Sequence, residues 1–261
     1  MNVLLPLLLS LLITCTALQP VMAHNSAPVA ENLKLQTYRG ITMSGELRAA
    51  DPEGDRLTYT LQTPPMKGTI VLHPDGRFTY TPRKNAWGKD YFGYTATDSA
   101  GNVSHEATVI IRLRRMKTKV FYADLLGHRA QYAAAWLAEH NLLMGETLGA
   151  QRYFFPDAPI TRLEFAALCA TMGDVPSPAD DERYAPITLA QAAAQLAQVM
   201  DLHTASVVSL PANTPSWAKS ALRSLIACRI LSCQGNPDRL LSRAEAAQML
   251  VRAMQLRDAQ R

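Results

Sequence analysis

The chain is poor in the residues that usually carry chemistry. Its 261 residues hold four cysteines. One of them, Cys15, sits in an apolar leader, and the remaining Cys169, Cys228 and Cys233 are too few for a disulfide framework. Cys228 and Cys233 are spaced to pair across the end of one helix, while all three also suit the role of small apolar filler in Ala-rich helices. There is no Cys-x-x-Cys and no Cys/His cluster, which argues against zinc. The six histidines, at 24, 73, 105, 128, 140 and 203, are scattered without a local carboxylate, Ser or Cys that would suggest a triad. A nucleophile elbow, a His-Glu zinc helix, a phosphate-cradling loop and a Rossmann fingerprint are all missing. These absences predict a protein that is not an enzyme. The net charge of +4 is too weak to argue for nucleic acid, and aromatic and basic residues do not interleave.

Long hydrophobic runs are confined to the start. Residues 1–23 carry no charged side chain, and Val21-Met22-Ala23 offers a small-residue cleavage site before His24. This predicts a secretory signal peptide, though one whose first residues lack Lys or Arg. An uncleaved anchor is the weaker alternative, because Pro6 and Pro20 bracket an apolar run shorter than the ~20 residues that span a bilayer. A lipid attachment at Cys15 is weaker still, with Thr14 before it. The expectation is an exported, soluble protein.

From residue 28 to 113 the pattern has period two. Leu57, Tyr59 and Leu61 alternate with polar partners, as do Ile70 and Leu72, Phe78 and Tyr80, Phe92, Tyr94 and Ala96, and Val109, Ile111 and Leu113. Turn signals separate them at 51–55, Pro74-Asp75-Gly76, Trp87-Gly88 and 99–102. About seven short strands at this spacing predict an antiparallel β-sandwich with Ig-like connections, and Asp75-Gly76 predicts a tight hairpin.

The residues Gly45, Leu47, Asp51-Pro52, Gly54-Asp55, Gly68-Thr69, Asp75-Gly76, Phe78, Tyr80, Gly88, Asp90, Phe92, Tyr94 and Asp98 with Gly101 resemble the bacterial cadherin-like, Ig-type repeat of cell-surface proteins. The resemblance implies a spacer or adhesive unit. Some relatives bind calcium through acidic loops, and the matching positions are Asp51, Glu53, Asp55 and Asp98, all hard oxygen donors. The simpler reading makes 51–55 a polar turn.

Beyond a basic linker, 114–120, the period changes to 3.6. Three stretches open alike: Ile160-Thr161-Arg162-Leu163-Glu164, Ile187-Thr188-Leu189-Ala190-Gln191 and Leu241-Ser242-Arg243-Ala244-Glu245. They start 27 and then 54 residues apart, which marks a repeat. A hydroxyl followed three residues later by Glu or Gln predicts a capping box in each copy. Capping does not explain Arg162 or Arg243, since a cation at the first helical position opposes the helix dipole. Arg beside helix-terminal N–H groups suits an anion, a carboxylate above all. The competing role is a salt bridge to a carboxylate of the same chain. Leu189 makes the middle copy a structural one. Further helices are expected over 128–140 and from Trp217 to Arg229, the latter capped by Ser216.

With Phe121-x-x-Asp124, the Ala-rich helix after it, Phe155 ahead of Ile160, Thr161-Arg162-x-Glu164, Trp217-Ala218 and Ser242-Arg243-x-Glu245, residues 121–261 resemble the S-layer homology domain. The resemblance implies three repeats in one compact body. It further implies grooves that bind an acidic, often pyruvylated, polysaccharide linked to peptidoglycan, with Thr161, Arg162, Glu164, Trp217, Ser242, Arg243 and Glu245 as the expected contacts. His128-Arg129 stands where the family usually has Trp before Ala, and the middle copy lacks its opening helix, so at most two grooves are expected to bind. The expected layout is a signal peptide at 1–23, a sandwich at 24–113, a linker at 114–120 and an all-α repeat domain at 121–261, with units 121–173, 183–203 (partial) and 214–257. The function this implies is non-covalent anchoring at the bacterial cell wall, with the sandwich displayed. The alternative is a calcium-dependent adhesion module beside a purely structural helical region.

Overall fold

The computed structural model describes residues 25–117, 120–203, 208–231 and 235–260. The expected signal peptide lies outside the described residues, as does Cys233 and with it the pairing to Cys228.

The period-two half forms β1 (Val29–Ala30), β2 (Leu33–Tyr38), β3 (Met43–Glu46), β4 (Ala49–Ala50), β5 (Thr58–Thr63), β6 (Gly68–Leu72), β7 (Arg77–Pro82), β8 (Gly88–Thr97) and β9 (Ala107–Arg114). A four-stranded sheet, β2-β9-β8-β5, faces a three-stranded sheet, β3-β7-β6. Alternation puts Phe78, Tyr80, Phe92, Tyr94, Val109 and Ile111 between them, each at most 1% exposed. Gly76, at φ 87°, closes the β6–β7 hairpin by donating to the His73 carbonyl. Within the three-stranded sheet, β6 carries glycine at Gly68, where a Cβ would stand 2.4 Å from the Tyr80 ring of the neighbouring β7. The sandwich is not wholly antiparallel, because β2 runs parallel to β9. The two strands enter and leave the domain in the same direction, and their pairing covers one edge of the larger sheet.

Asp90 is a buried carboxylate with its partners built in. It accepts from the Tyr80 hydroxyl at 2.7 Å and from the Met66 and Lys67 N–H groups. The Tyr94 hydroxyl donates to the Arg48 and Glu31 carbonyls, which fastens the short β1–β4 pair to the core.

The period-3.6 half contains α1 (Gln131–Glu139), a hairpin of β10 (Glu146–Leu148) and β11 (Gln151–Tyr153), α2 (Arg162–Cys169), α3 (Leu189–Val199), α4 (Lys219–Ala227) and α5 (Arg243–Gln260). All three capping boxes form, at Thr161/Glu164, Thr188/Gln191 and Ser242/Glu245. Ser216 does not cap α4. It begins a 3-10 turn, Ser216–Ala218, whose own backbone leads into the helix.

The residues ahead of the three caps meet at the centre. The Ile160 N–H donates to the Leu241 carbonyl, Leu241 to Ile187, and Ile187 back to Ile160, at 2.9–3.0 Å. This closed ring of three backbone hydrogen bonds gives the helices an approximate threefold arrangement, with all three side chains buried. α4 packs on α3 and α1 packs on α5. Between α2 and α3 the described residues contain no opening helix. A Pro-containing loop runs there instead, with Val175 against the core.

The halves are joined by more than the linker. Tyr38 and Ile41 of the sandwich share a core with Trp136, Leu137, Val251 and Met254. The Tyr38 hydroxyl donates to Glu139, and the Tyr38 and Tyr132 rings lie 5.8 Å apart. Among the described residues no helix is long and apolar enough to cross a membrane.

Candidate functional site

The repeated helix starts dock into one another, and this decides what each can bind. At α2, the Arg162 and Leu163 N–H groups donate to the Ala185 and Arg183 carbonyls. At α3, Leu189 and Ala190 donate to Arg239 and Pro237, and at α5, Arg243 and Ala244 donate to Ala158 and Pro156. The third N–H in each start is taken by the cap hydroxyl. The expectation that these termini offer free N–H groups to an anion is therefore corrected. The loop before the next capped helix occupies them, because a buried amide left unpaired is costly.

The side chains follow the same threefold logic. Arg243, at the first position of α5, reaches the Glu164 carboxylate at the third position of α2, 2.5 Å away, and its Nε–H donates to the Phe154 carbonyl. Arg243 is only 8% exposed, and its guanidinium also lies over the Phe154 ring. It is a strut between repeats, which corrects its expected role as a ligand contact. Burial opposes ionisation of Glu164, but the Thr161 N–H and hydroxyl together with Arg243 outweigh it and hold its carboxyl below the usual range.

The equivalent partner for Arg162 is the third residue of α3, which is the neutral Gln191. Arg162 turns instead to Glu182, whose side chain is half exposed. The equivalent partner for Glu245 is the first residue of α3, which is Leu189. Glu245 is taken instead by Arg239 at 2.6 Å, with Arg129 at 3.8 Å. Burial again opposes ionisation of Glu245, and Arg239 with Ser242 holds the carboxyl low.

Between α2 and α3 a cleft of about 190 Å³ remains, lined by Arg162, Pro176, Pro178, Glu182, Ile187, Gln191 and Gln195. The Arg162 Nε is buried there without a hydrogen-bond partner. Of the seven residues expected to bind glycan, the cleft contains Arg162, while Thr161 and Glu164 stand beside it as cap and strut. Arg243 is closed against Glu164, while Ser242 and Glu245 form a cap held by Arg239. Trp217 is 58% exposed in the 3-10 turn ahead of α4 and lines neither the cleft nor these contacts. Glu182 and Gln195 escaped the sequence reading, which singled out neither as a site residue. The signal was Gln191 in the middle copy, which releases Arg162 from its equivalent contact.

The residues expected as calcium ligands are engaged by neighbouring donors, apart from Asp51 Oδ2, which is buried without a hydrogen-bond partner. Asp51 Oδ1 accepts from the Glu53 and Asp55 N–H groups, which is the polar turn. The Asp98 carboxylate accepts from Ala100, Asn102 and Asn25, and Asp55 accepts from Ser99 and Asn25. Calcium needs six to eight converging oxygens, and among the described residues no three acidic, His or Cys side chains gather to hold a metal. Cys169 is buried and free, and burial pushes its thiol up to about 12, so it is no nucleophile at neutral pH.

Comparison with known proteins bears on the first half of the chain. No curated protein matches. A mutant of the SrpA adhesin from Streptococcus sanguinis is 18% identical, with 39% of this chain and 62% of that one covered and a TM-score of 0.29. Human Protocadherin-24 EC1-2 is 18% identical, with 34% and 44% covered and a TM-score of 0.27. An endo-fucoidan hydrolase of glycoside hydrolase family 107 is 21% identical, with 36% of this chain covered and a TM-score of 0.29. The chain spans 14% of that hydrolase's length. No functional statement follows from overlaps of this size. One family model matches, over residues 25–115, and those residues are a bacterial cadherin-like domain.

Proposed function

We propose that the protein is an exported, non-enzymatic surface protein. Its helical repeats hold it to an acidic cell-wall polysaccharide in the manner of S-layer homology domains, and its cadherin-like domain is displayed as a spacer or adhesion unit. The observation that carries this reading is the Arg162 cleft. A guanidinium with an unpaired Nε faces a half-exposed carboxylate, Glu182, that an acidic sugar can displace. Gln191 and Gln195 supply amides for sugar hydroxyls. Binding falls on one cleft rather than two, because Arg243 is committed to Glu164.

The test is sedimentation with purified wall sacculi at about 0.3 M salt, where exposed charges are screened to within a few ångströms. Arg162→Ala is expected to fold normally and lose at least about tenfold in wall affinity, one charge-assisted contact in a sheltered site. A folded Arg162→Ala protein that sediments like wild type contradicts the reading. Release of wall fragments by the pure protein would contradict its non-enzymatic part.

A further inference from the structure

The outer face of the four-stranded sheet carries charge that the sandwich does not need for folding. Strand register sets Lys89 of β8 directly opposite Arg112 of β9, with Arg114 two residues further along β9. All three are exposed, and none has an ion-pair partner among the described residues. Like charges directly opposite across two strands destabilise a sheet. They line a shallow groove of about 420 Å³ together with Gly88 and Leu113, and no carboxylate lines it. Lys67 adds a fourth cation at its rim, with Nζ bonded to the Trp87 carbonyl and 5.8 Å from the Trp87 ring.

Two aromatic faces flank the cations. Trp87 is 66% exposed and Tyr91, the next outward residue of β8 after Lys89, is 48% exposed. Glu139 of α1 faces the Arg114 end of this surface, where it accepts from Tyr38, the residue paired with Arg114 across β2 and β9. Along β8 and β9 themselves the first carboxylate on this face is Glu106. It lies over Gly93, two side-chain rows or about 13 Å from Lys89, and is bonded to Thr63.

We infer that this groove is a second binding surface, independent of the Arg162 cleft, for a linear carboxylated polysaccharide. The two guanidiniums match carboxylates in planar, two-point fashion. Tyr91 and Trp87 offer flat apolar faces with a polar edge, against which sugar rings lie. A phosphate polymer matches the charge alone, so a polyuronate is the occupant that uses every part of the surface.

The experiment is fluorescence anisotropy of the full chain with labelled polygalacturonate at about 50 mM salt, with single-stranded DNA and neutral dextran as comparison polymers. Wild type is expected to bind polygalacturonate more tightly than DNA and to ignore dextran. The double variant Lys89→Gln, Arg112→Gln should lose at least about tenfold in polygalacturonate affinity while melting no lower than wild type, since a repulsive pair is gone. Trp87→Ala with Tyr91→Ala should weaken polygalacturonate and leave DNA unchanged. The same loss should appear when Lys89→Gln, Arg112→Gln is made in an Arg162→Ala background, which separates this surface from the cleft. Unchanged affinity in the folded Lys89→Gln, Arg112→Gln protein overturns the inference, as does DNA binding as tight as polygalacturonate binding.

Discussion

Two arginines at the same place in the same motif do different work, and magnitude separates them. Arg243 is buried against Glu164, whereas Arg162 meets the half-exposed Glu182. Breaking a buried pair strands a charge and costs about 3–5 kcal/mol, while an exposed pair contributes about 0–1 kcal/mol. Arg243→Ala is therefore expected to lower the melting temperature strongly, and Glu182→Gln to leave it within a degree or two. Equal effects in thermal melts would show that the repeat contact is not the strut described. Gly68→Ala places a methyl on the Tyr80 ring and is expected to cost about 1–3 kcal/mol in a denaturant titration, although replacing glycine inside a strand ordinarily strengthens it. What the sequence made legible at this scale was the oddity of a cation at a helix start. It left open whether a ligand or the chain's own carboxylate answers that cation, because Glu164 and Glu182 are brought into place only by the threefold packing.

The capping boxes were readable as local spacing, since cap and N3 residue lie three positions apart and need no tertiary information. Thr188→Ala removes the cap hydroxyl from the Gln191 N–H and is expected to cost about 1 kcal/mol. Ser216→Ala should be close to neutral, because Ser216 caps nothing. Similar losses in the two variants would show that the capping assignments are misplaced. Strands β5 to β9 were likewise visible in the alternation of Tyr59, Phe78, Phe92 and Val109 with polar neighbours. The parallel pairing of β2 with β9 was not, since alternation gives a strand's faces and says nothing of its partner. The same limit hid the ring of Ile160, Ile187 and Leu241. Their recurrence marked repeats, but only folding shows three backbone segments closing on one another.

Taken whole, the molecule holds its sandwich against its helices through a contact with opposite acid and alkaline limits. Burial and the bond to Glu139 raise the Tyr38 hydroxyl well above its ordinary value. Its contribution is present below pH ~10 and is lost as pH rises beyond that through the raised value. Burial opposes ionisation of Glu139, but Tyr38 and the Lys117 N–H outweigh it and hold the carboxyl low. That contribution is present above pH ~4.3 and is lost as pH falls through the depressed value. Tyr38→Phe should reduce the alkaline loss without abolishing it, because burial also raises the Tyr80 and Tyr122 hydroxyls, and should lower stability at neutral pH, which pH-dependent melting of the two proteins checks. A wild-type alkaline loss that survives unchanged in Tyr38→Phe would assign it elsewhere.

Anchoring through the helical repeats is most directly tested by the fraction of intact protein that sediments with wall sacculi before and after chemical removal of their acidic polymer, at about 0.3 M salt. The account predicts strong sedimentation with native sacculi and its loss once the acidic polymer is stripped. Equal sedimentation with both preparations, or none with either, contradicts it.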